Sequence, residues 1–265
     1  MRKIGILGCG WLGLPLAQSL LEKGFSVKGS TTSIEKISVL QKNGILPFQI
    51  AISETKIEGE IDSFLDDSEI LIIDIPPKLR GDAKENFVSK IQTLVPFIEK
   101  SLVKKVLFVS STSVYSEDNS TISEENIPHP NSESGKQLLE VERLLQSNPN
   151  FKTTVVRFGG LIGKDRHPVK FLAGKKAVEN PDAPINMIHQ EDCIGIIEKI
   201  IELNCWQETF NAVAPFHPTR KEYYSQKAME LGLPLPEFDE NPSVGKLISS
   251  EKVATLLNYH FKNTL

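Results

Sequence analysis

The stretch KIGILGCGWLG, residues 3–13, decides the fold of this chain. Its first part, Lys3–Leu7, is a mainly apolar run that predicts a short buried strand. The residues that follow, Trp11–Lys23, have the apolar spacing of a helix, and Gly24 is placed to end it. A strand, a glycine-rich turn and a helix in this order predict the first unit of a parallel α/β sheet.

The turn between this strand and this helix carries Gly8, Gly10 and Gly13 in the spacing G-x-G-x-x-G. In this context the three glycines serve, in order, a tight turn, a close approach of the backbone to a pyrophosphate, and close packing of helix on strand. The start of the helix, at Trp11 and Leu12, presents free N–H groups to phosphate. We therefore expect NAD(P) to bind over this loop, and the alternative is a glycine-rich turn without a ligand.

Strand and helix patterns alternate along the rest of the chain. The run Glu69–Ile75 is almost continuously apolar, as in a parallel strand that is covered on both faces. The other predicted strands are Phe25–Thr31, Leu46–Ala51, Lys105–Ser110 and Thr153–Phe158, and the other predicted helices are Ile34–Lys42, Asp82–Ser101, Ser132–Ser147, Gln190–Leu203 and Thr219–Leu231. This alternation predicts the α/β class, with a Rossmann-type doubly wound parallel sheet and a small C-terminal substrate lobe.

Prolines become frequent after Gly159, and the helix and strand periodicity weakens there. We expect residues 1–160 to form an NAD(P)-binding Rossmann domain. Residues 161–265 should form a mixed segment that contributes late sheet elements and a small substrate-binding lobe. The charged, serine-rich stretch Ser116–Ser134 predicts a surface loop, either a tolerated insertion or a flap beside the site.

Composition and charge narrow the classes of partner and compartment. Of the 265 residues 40% are hydrophobic and 24% are charged, with a net charge of −4 and no basic stripe, which argues against a nucleic-acid partner. No apolar stretch reaches the roughly 18 residues that a membrane span needs. Cys9, Cys193 and Cys205 have no metal-binding spacing and favour a reducing, cytoplasmic location. A signal peptide is the alternative for the N-terminus, but glycines interrupt its apolar run.

The end of the second predicted strand bears on the choice between NAD and NADP. An acidic residue there would hold the ribose 2′-hydroxyl of NAD. This chain has Ser30, Thr31 and Thr32 instead, and no carboxylate before Glu35. The turn therefore favours NADP over NAD, although it offers no arginine to grip a 2′-phosphate.

Other strand ends should complete the site, because ligands of an open parallel sheet bind beyond the carboxyl ends of its strands. We expect Ile75, Pro76, Pro77 and Ser110 to contact the cofactor. The third strand end, Phe158–Gly160, should line the same crevice as these residues and the glycine loop.

Four segments resemble the extended short-chain dehydrogenases, the NAD-dependent epimerase/dehydratase family. Residues 106–115 are similar to its strand followed by S-S-x-x-V-Y-G, and residues 156–163 are similar to its next strand and turn. Residues 188–192 are similar to its H-x-x-D segment, and residues 211–220 are similar to an atypical subgroup. Taken in order, these segments extend the resemblance from the N-terminus to about residue 240.

The resemblance implies roles for particular side chains. Ser111 falls where the family keeps a catalytic serine or threonine that hydrogen-bonds the reacting oxygen of the substrate. Lys136 falls where the family keeps a lysine that grips the nicotinamide ribose and lowers the pKa of a tyrosine. That tyrosine belongs four residues earlier, where this chain has Ser132, and a serine cannot accept the proton unaided. Tyr115 is one candidate to replace it.

Each of these positions has a structural alternative. Ser111 can instead end a strand and cap the next segment, Lys136 can be an ordinary exposed helix residue, and Tyr115 can be a packed aromatic residue. Arg157 can bind an anionic substrate group or pair with a carboxylate. Asp192 is placed to cap the helix that follows it.

Two functions follow from this pattern. The first is an NAD(P)-dependent oxidoreductase or epimerase/dehydratase-like enzyme that acts on a hydroxyl or carbonyl group, as of a sugar or nucleotide-sugar. The second is a non-catalytic NAD(P)-binding protein that has lost the tyrosine. A homodimer through the predicted helices Asp82–Ser101 and Ser132–Ser147 is also expected, with Leu138, Val141, Leu144 and Leu145 as its apolar contacts. The alternative is that these side chains face the sheet.

Overall fold

The computed structural model describes residues 2–77 and 85–263 of the chain. Its strands are β1 (Lys3–Leu7), β2 (Ser26–Thr31), β3 (Leu46–Gln49), β4 (Ala51–Ile52), β5 (Ile57–Glu58), β6 (Ile70–Ile73), β7 (Lys105–Ser111), β8 (Thr121–Ile122), β9 (Lys152–Phe158), β10 (Gly160–Ile162), β11 (Met187–His189), β12 (Thr209–Ala212) and β13 (Leu247–Ile248). Its α-helices are α1 (Gly13–Glu22), α2 (Ile37–Lys42), α3 (Ile61–Leu65), α4 (Phe87–Lys100), α5 (Glu133–Gln146), α6 (Val169–Leu172), α7 (Gln190–Glu202), α8 (Arg220–Glu230) and α9 (Glu251–Leu256).

A parallel sheet forms the centre of the described residues. Its seven strands lie in the order β12-β9-β7-β6-β1-β2-β3, and every neighbouring pair is parallel. The chain moves outward from β1 through β2 to β3, and then crosses to β6 on the other side of β1. The carboxyl ends of β1 and β6 therefore mark the topological switch point, where such sheets bind their ligands.

Apolar cores cover both faces of this sheet, which confirms the predicted α/β fold class. Successive residues of β6 point to opposite faces: Ile70 and Ile72 join the core beneath α1 and α7, while Leu71 and Ile73 join the core beneath α4 and α5. All four are at most 1% exposed. Burial of such a side chain contributes about 1.5–3 kcal/mol to the free energy of unfolding, which explains why this strand has no polar alternation.

The second half of the chain contributes both to the sheet and to a smaller lobe. Strand β12, which the sequence patterns did not reveal, forms one edge of the sheet beside β9. A third apolar cluster joins α6 to α8 through Val169, Tyr223 and Ala228. The loop after β7 is fixed to the C-terminal segment, because β8 pairs with β13 and the N–H of Asn119 donates to the carbonyl of Gly245 at 2.7 Å.

Most predicted elements are present with small shifts of their ends. The predicted helix from Ile34 begins as a 3₁₀ turn and becomes α-helical at Ile37, and the predicted strand from Leu46 breaks at Ile50. The helix predicted over Asp82–Ser101 corresponds to α4, and its predicted start at Asp82 lies outside the described residues.

Three of the four apolar residues expected to support a homodimer lie elsewhere. Leu138, Val141 and Leu145 are at most 4% exposed and pack in the core beneath the sheet. The alternative, that they face the sheet, is therefore the one observed, and the homodimer stays a prediction without that support. None of the described helices is long and apolar enough to cross a bilayer.

Candidate functional site

The glycine loop after β1 has the geometry that its spacing predicts. Gly8 has a φ of +108°, and a Cβ there would lie 2.4 Å from the carbonyl oxygen of Asp74. A Cβ at Gly13 would lie 2.2 Å from the carbonyl oxygen of Gly8, so both positions exclude a side chain. A Cβ at Gly10 would meet no atom of residues 2–77 and 85–263 within 4 Å. Gly10 therefore borders open space at the start of α1, where a phosphate could approach the backbone.

A cavity of about 470 Å³ opens beyond this loop, and we call it the first cavity. Of the residues predicted to hold a cofactor, it is lined by Gly8, Gly10, Ser30, Thr31, Thr32, Ile75 and Pro76. Ser30 also supports the loop from β2, because its hydroxyl accepts the N–H of Gly8 at 3.0 Å and its carbonyl accepts the N–H of Cys9 at 2.7 Å.

Trp11, Leu12 and Pro77 were also expected to hold the cofactor, and their side chains are not in the lining of the first cavity. The Trp11 indole donates to a carboxylate oxygen of Asp165 at 2.9 Å, and the Arg166 guanidinium lies 5.0 Å from its ring centroid. Leu12 is 3% exposed and belongs to the core. For Trp11 and Leu12 the prediction therefore concerns the backbone before α1 rather than the side chains, and for Pro77 the contact stays a prediction.

Three lysines of the first cavity were missed from the sequence: Lys36, Lys56 and Lys90, the last of which is paired with Glu85. Lys36, just before α2, and Lys56, just before β5, both line it together with Thr31 and Thr32. Lys56 forms an exposed ion pair with Glu58 at 2.6 Å. The backbone N–H of Lys36 donates to the carbonyl of Ser33 at 3.2 Å, while its exposed ammonium has no hydrogen bond or ion pair among the residues that the structure describes. The position of Lys36 four residues beyond the predicted turn was the available signal, whereas Lys56 comes from a distant segment.

Asp74, the residue after β6, was also not recognised from the sequence as part of this site. Its carboxylate lies under the glycine loop, 3.1 Å from the place of a Cβ on Gly13, and it accepts the backbone N–H of Gly13. Burial raises the pKa of this carboxyl to about 8, against a smaller opposite effect of the Gly13 N–H. Asp74 is therefore mainly protonated at neutral pH and does not carry a full negative charge beside the loop.

The first cavity and its loop fit a dinucleotide. The start of α1 has no side-chain cap and no acidic residue in its first turn, so its dipole favours an anion. The open space at Gly10 is of the kind that a pyrophosphate fills.

A buried ionic network lies at the carboxyl ends of β7 and β9, and it changes the predictions for three residues. Arg157 is 5% exposed and donates to Glu142 of α5, with its Nη2 2.5 Å from Oε2. Ser110 donates its hydroxyl to Oε1 of Glu142 at 2.5 Å. Arg157 therefore pairs with a carboxylate, the second of its two alternatives. The hydroxyl of Ser110 is bound within the core, so its contact with the cofactor stays a prediction without structural support.

Tyr115 belongs to the same network. It is 3% exposed, and its hydroxyl oxygen lies 2.5 Å from Nη1 of Arg157 and 3.1 Å from Oδ1 of Asn211. Burial raises the pKa of the phenol, although the nearby Arg157 opposes this. A buried phenol with a raised pKa cannot serve as a base at neutral pH. Tyr115 has the features of the packed aromatic residue, the structural one of its two alternatives, and its catalytic role stays a prediction without structural support.

A second cavity, of about 490 Å³, lies between the end of β7 and the C-terminal lobe. Ser111, Gly159 and Gly160 line it, and it shares no lining residue with the first cavity. The single crevice expected from the sequence is therefore two cavities. Ser111 has a feature of each of its two alternatives. It lines the second cavity, as a substrate-binding residue would, and its hydroxyl accepts the N–H of Ser113 at 3.2 Å, as a capping residue would.

The lobe supplies further side chains to the second cavity that no motif indicated. Tyr224 of α8, Arg220 at the first turn of α8, and Lys246 before β13 all line it. Burial raises the pKa of the Tyr224 phenol, and the Arg220 guanidinium opposes the shift. Tyr224 is the tyrosine of this cavity, and it is far along the chain from the position that the resemblance assigned.

Lys136 lies outside both cavities. It is exposed on α5 and borders a surface depression with His129 and Glu140. The face of α5 that meets the sheet carries Gly135 and Glu142, and Lys136 is on the other side. Lys136 has the features of the exposed helix residue, the structural one of its two alternatives, and its grip on a ribose stays a prediction without structural support. Ser132 caps α5 by accepting the N–H of Gly135 at 3.1 Å.

Asp192 has a different role from the predicted cap. The cap of α7 is His189, whose ring nitrogen accepts the N–H of Glu191. Asp192 is fully buried in the first turn and accepts the hydroxyl of Tyr259 at 2.9 Å and the N–H of Lys262 at 2.8 Å. It thereby fixes the C-terminal segment against α7.

Known proteins resemble this chain over its whole length. No protein-family model matches it. Protein YeeZ from Escherichia coli strain K12 is 32% identical over 266 residues, which cover 99% of this chain and 96% of YeeZ. The UDP-glucuronic acid 4-epimerase from Bacillus cereus, solved in complex with NAD, superposes with a TM-score of 0.81 at 20% identity, over 99% of this chain and 94% of that chain.

A short-chain dehydrogenase/reductase superfamily protein from Agrobacterium tumefaciens, solved with bound NAD, also superposes with a TM-score of 0.81, at 16% identity over 99% of this chain and 93% of that chain. These structures confirm the predicted fold, and YeeZ is a relative by sequence. The chain belongs to the family of Escherichia coli protein YeeZ, and it has the fold of the short-chain dehydrogenases and NAD-dependent epimerases and dehydratases.

Proposed function

We propose that this protein is an NADP(H)-dependent oxidoreductase that binds the cofactor in the first cavity and a small hydroxyl or carbonyl substrate in the second. The observation that carries the proposal is the glycine loop, with open space at Gly10 beside α1. The solved neighbours are described as complexes with NAD, which supports a nicotinamide cofactor. The neighbour from Bacillus cereus is named for a nucleotide-sugar, and that class of substrate is the first to test here.

Residues around the adenosine end favour NADP over NAD. Thr31 and Thr32 offer hydroxyls, and Lys36 and Lys56 offer positive charge in the same cavity. A phosphate gains more from such groups than a hydroxyl does, because charge-assisted hydrogen bonds are roughly twice as strong as neutral ones. Glu58 faces Lys56 and reduces this gain, which leaves Lys36 as the main contributor.

Calorimetry with both cofactors tests this preference. NADP should bind more tightly than NAD, and the double variant Lys36→Met/Lys56→Met should weaken NADP binding by about 10-fold or more, as expected for one lost charge-assisted contact. NAD affinity should stay within about twofold. Lys42→Met, an exposed change at the end of α2, is the matched control. An equal loss for NAD and NADP would exclude a 2′-phosphate site at these lysines.

The cofactor, when bound, supplies or accepts hydride, and the chain must position the substrate. The hydroxyl of Ser111 can donate a hydrogen bond to the reacting oxygen while its own oxygen accepts the N–H of Ser113. Tyr224 keeps its proton at neutral pH, as an ordinary phenol does, and burial raises its pKa further, so its hydroxyl can donate a hydrogen bond to a carbonyl but cannot act as a base. These groups suit reduction of a carbonyl better than oxidation of an alcohol.

A screen of NADPH oxidation with carbonyl compounds tests this direction. It should include UDP-4-keto-sugars, free ketoses and 2-oxo acids. Ser111→Ala should lower kcat by about 10- to 100-fold, whereas Ser116→Ala, outside the cavity, should leave it unchanged. Equal activity of Ser111→Ala and the unchanged protein would remove Ser111 from the reaction.

A second candidate function is a non-catalytic NAD(P)-binding protein. The observation that favours it is the arrangement of bases: Tyr115 is bound to Arg157, Lys136 lies outside both cavities, and the described lining of the second cavity contains no histidine. Tight NADP binding together with no oxidation or reduction of any compound in the screen would favour this function over the first.

A further inference from the structure

The second cavity contains more positive than negative charge. Its described lining includes Arg220 and Lys246 as cations and Glu117 as the only anion. Glu117 forms an ion pair with Lys246 at 2.8 Å, and its side chain is 50% exposed. Arg220 has no ion pair within residues 2–77 and 85–263. One guanidinium charge is therefore left without a carboxylate partner at the cavity.

The side chain of Arg220 is held in place but not fully hydrogen-bonded. Its guanidinium lies 5.6 Å from the ring centroid of Tyr224, and its backbone N–H donates to the carbonyl of Ala183 at 2.9 Å. The Nε atom is buried and has no hydrogen-bond partner among the described residues. Buried N–H groups in native proteins nearly always have a partner, so an orphan of this kind indicates a ligand or an ordered water.

Lys246 is fixed at the same cavity from a different segment. It is 6% exposed, and its ammonium donates to the backbone carbonyl of Tyr115 at 2.7 Å as well as to Glu117. The amide of Asn186 holds the backbone beside it, through Nδ2 to the carbonyl of Lys246 at 2.8 Å. A buried ammonium with three protons and two protein acceptors retains one proton for a third acceptor.

We propose that the second cavity binds an oxyanion of the substrate, a carboxylate or a phosphate, through the Nε edge of Arg220 together with Lys246. Nε–H and the adjacent Nη–H form a planar fork that matches two oxygens of either group. The inference rests on the proposed function and deepens it, because it requires the substrate to carry a negative charge. Neutral sugars and simple alcohols would then be poor ligands.

The Arg220 side chain itself reports on this binding. In ¹⁵N-labelled protein its Nε–H gives a separate NMR signal, which is assigned by its absence in Arg220→Lys. Inorganic phosphate, acetate and chloride are titrated at constant ionic strength. Phosphate and acetate should each move the signal in a saturable way, and chloride should not. The stronger of the two oxyanions identifies the substrate group.

Two variants give opposite expected results. Lys246→Met should raise the Kd for the oxyanion by about 10-fold or more, since a charge-assisted contact is lost. Glu117→Gln removes the competing carboxylate and should lower the Kd severalfold; this exposed change keeps the test decisive if Lys246→Met does not fold. Lys221→Met, an exposed neighbour of Arg220 on α8, should have no effect.

The inference is wrong if phosphate and acetate move the Arg220 signal no more than chloride does, or if Glu117→Gln leaves the Kd unchanged. Its failure is separable from failure of the proposed function, because NADP binding is measured by calorimetry on the same samples. NADP binding without an Arg220 response would retain the cofactor site and remove only the charged-substrate class. An Arg220 response without NADP binding would retain the oxyanion site and remove the proposed cofactor site.

Discussion

The two cavities of this protein are built in different ways. The first is organised by one continuous loop, in which Gly8 and Gly13 leave no room for a side chain and Gly10 leaves space for a ligand. The second is assembled from side chains that are distant in sequence, with Ser111 after β7, Arg220 on α8 and Lys246 before β13. A contiguous backbone motif can be recognised from its spacing, whereas a site assembled from separate segments depends on the fold that brings them together.

The largest expected effect comes from the buried ion pair between Glu142 and Arg157, at the carboxyl ends of β7 and β9. Glu142→Leu would leave the buried Arg157 without its carboxylate, which should lower the free energy of unfolding by about 3–5 kcal/mol. Chemical denaturation measures this change. Glu202→Leu removes a surface partner of Lys23 and should change stability by less than about 1 kcal/mol. Similar losses of unfolding free energy in Glu142→Leu and Glu202→Leu would show that the buried ion pair contributes no more to stability than the surface pair does.

Gly10→Val is the strongest test of the first cavity. The valine side chain would enter open space, so the fold should persist while the phosphates lose their approach to the backbone. Loss of two charge-assisted contacts should weaken NADP binding by about 100-fold or more. Calorimetry and thermal unfolding are measured together. Gly13→Val, which would meet the carbonyl of Gly8, should instead destabilise the protein, and normal binding by Gly10→Val would place the phosphates elsewhere.

The same contrast explains what the sequence could predict. The glycine spacing and the apolar run of β6 are local, so they indicated the parallel sheet and the glycine loop of the first cavity. The partner of Arg157 could not be identified from sequence, because Glu142 lies on α5 and only the packing of that helix on β9 brings them together. The same limit applies to Lys136: a resemblance in sequence does not fix which side chains of α5 face a cavity, and Lys136 lines neither one.

Strand β12 and the lining of the second cavity were missed because their signals are weak. Strand β12 is a four-residue edge strand, and its polar residue Asn211 is fully buried, contrary to simple alternation. Lys246 lies in a segment without helix or strand periodicity, and the predicted helix Thr219–Leu231 does not show which cavity Arg220 lines. Their importance comes from an unpaired Nε and a buried ammonium, and both are properties of packing rather than of sequence spacing.

Asp74 allows the first cavity to be tested by pH. Its native pKa of about 8 lies above the ordinary value of 3.8, so between these two values the native state holds a proton that the unfolded state has lost. The free energy of unfolding should therefore fall as pH rises from about 4 to 8, by about 1 kcal/mol per pH unit from this group.

Asp74→Asn should remove that part of the pH dependence and raise stability at pH 8. It should also strengthen NADP binding above pH 8 by about 10-fold, because the ionised carboxylate beside the glycine loop repels phosphate. Denaturation and calorimetry at pH 6 and pH 9 measure both effects. Asp67→Asn, an exposed carboxylate paired with Lys3, is the control that should show neither. A variant with the same pH profile as the unchanged protein would mean that Asp74 is ionised throughout.

The smallest expected effect is that of Lys136→Ala, and it separates the structure from the resemblance. If Lys136 gripped the nicotinamide ribose, its loss would weaken cofactor binding by about 10-fold or more, as for other charge-assisted contacts. In the structure Lys136 is exposed on the outer side of α5 and lines neither cavity. The affinity for NADP should therefore stay within about twofold of that of the unchanged protein, and the free energy of unfolding within about 0.5 kcal/mol. Arg143→Ala, an exposed change at the same surface depression, should behave alike. A selective loss of cofactor affinity in Lys136→Ala would require α5 to present this side chain to the cofactor in the bound state.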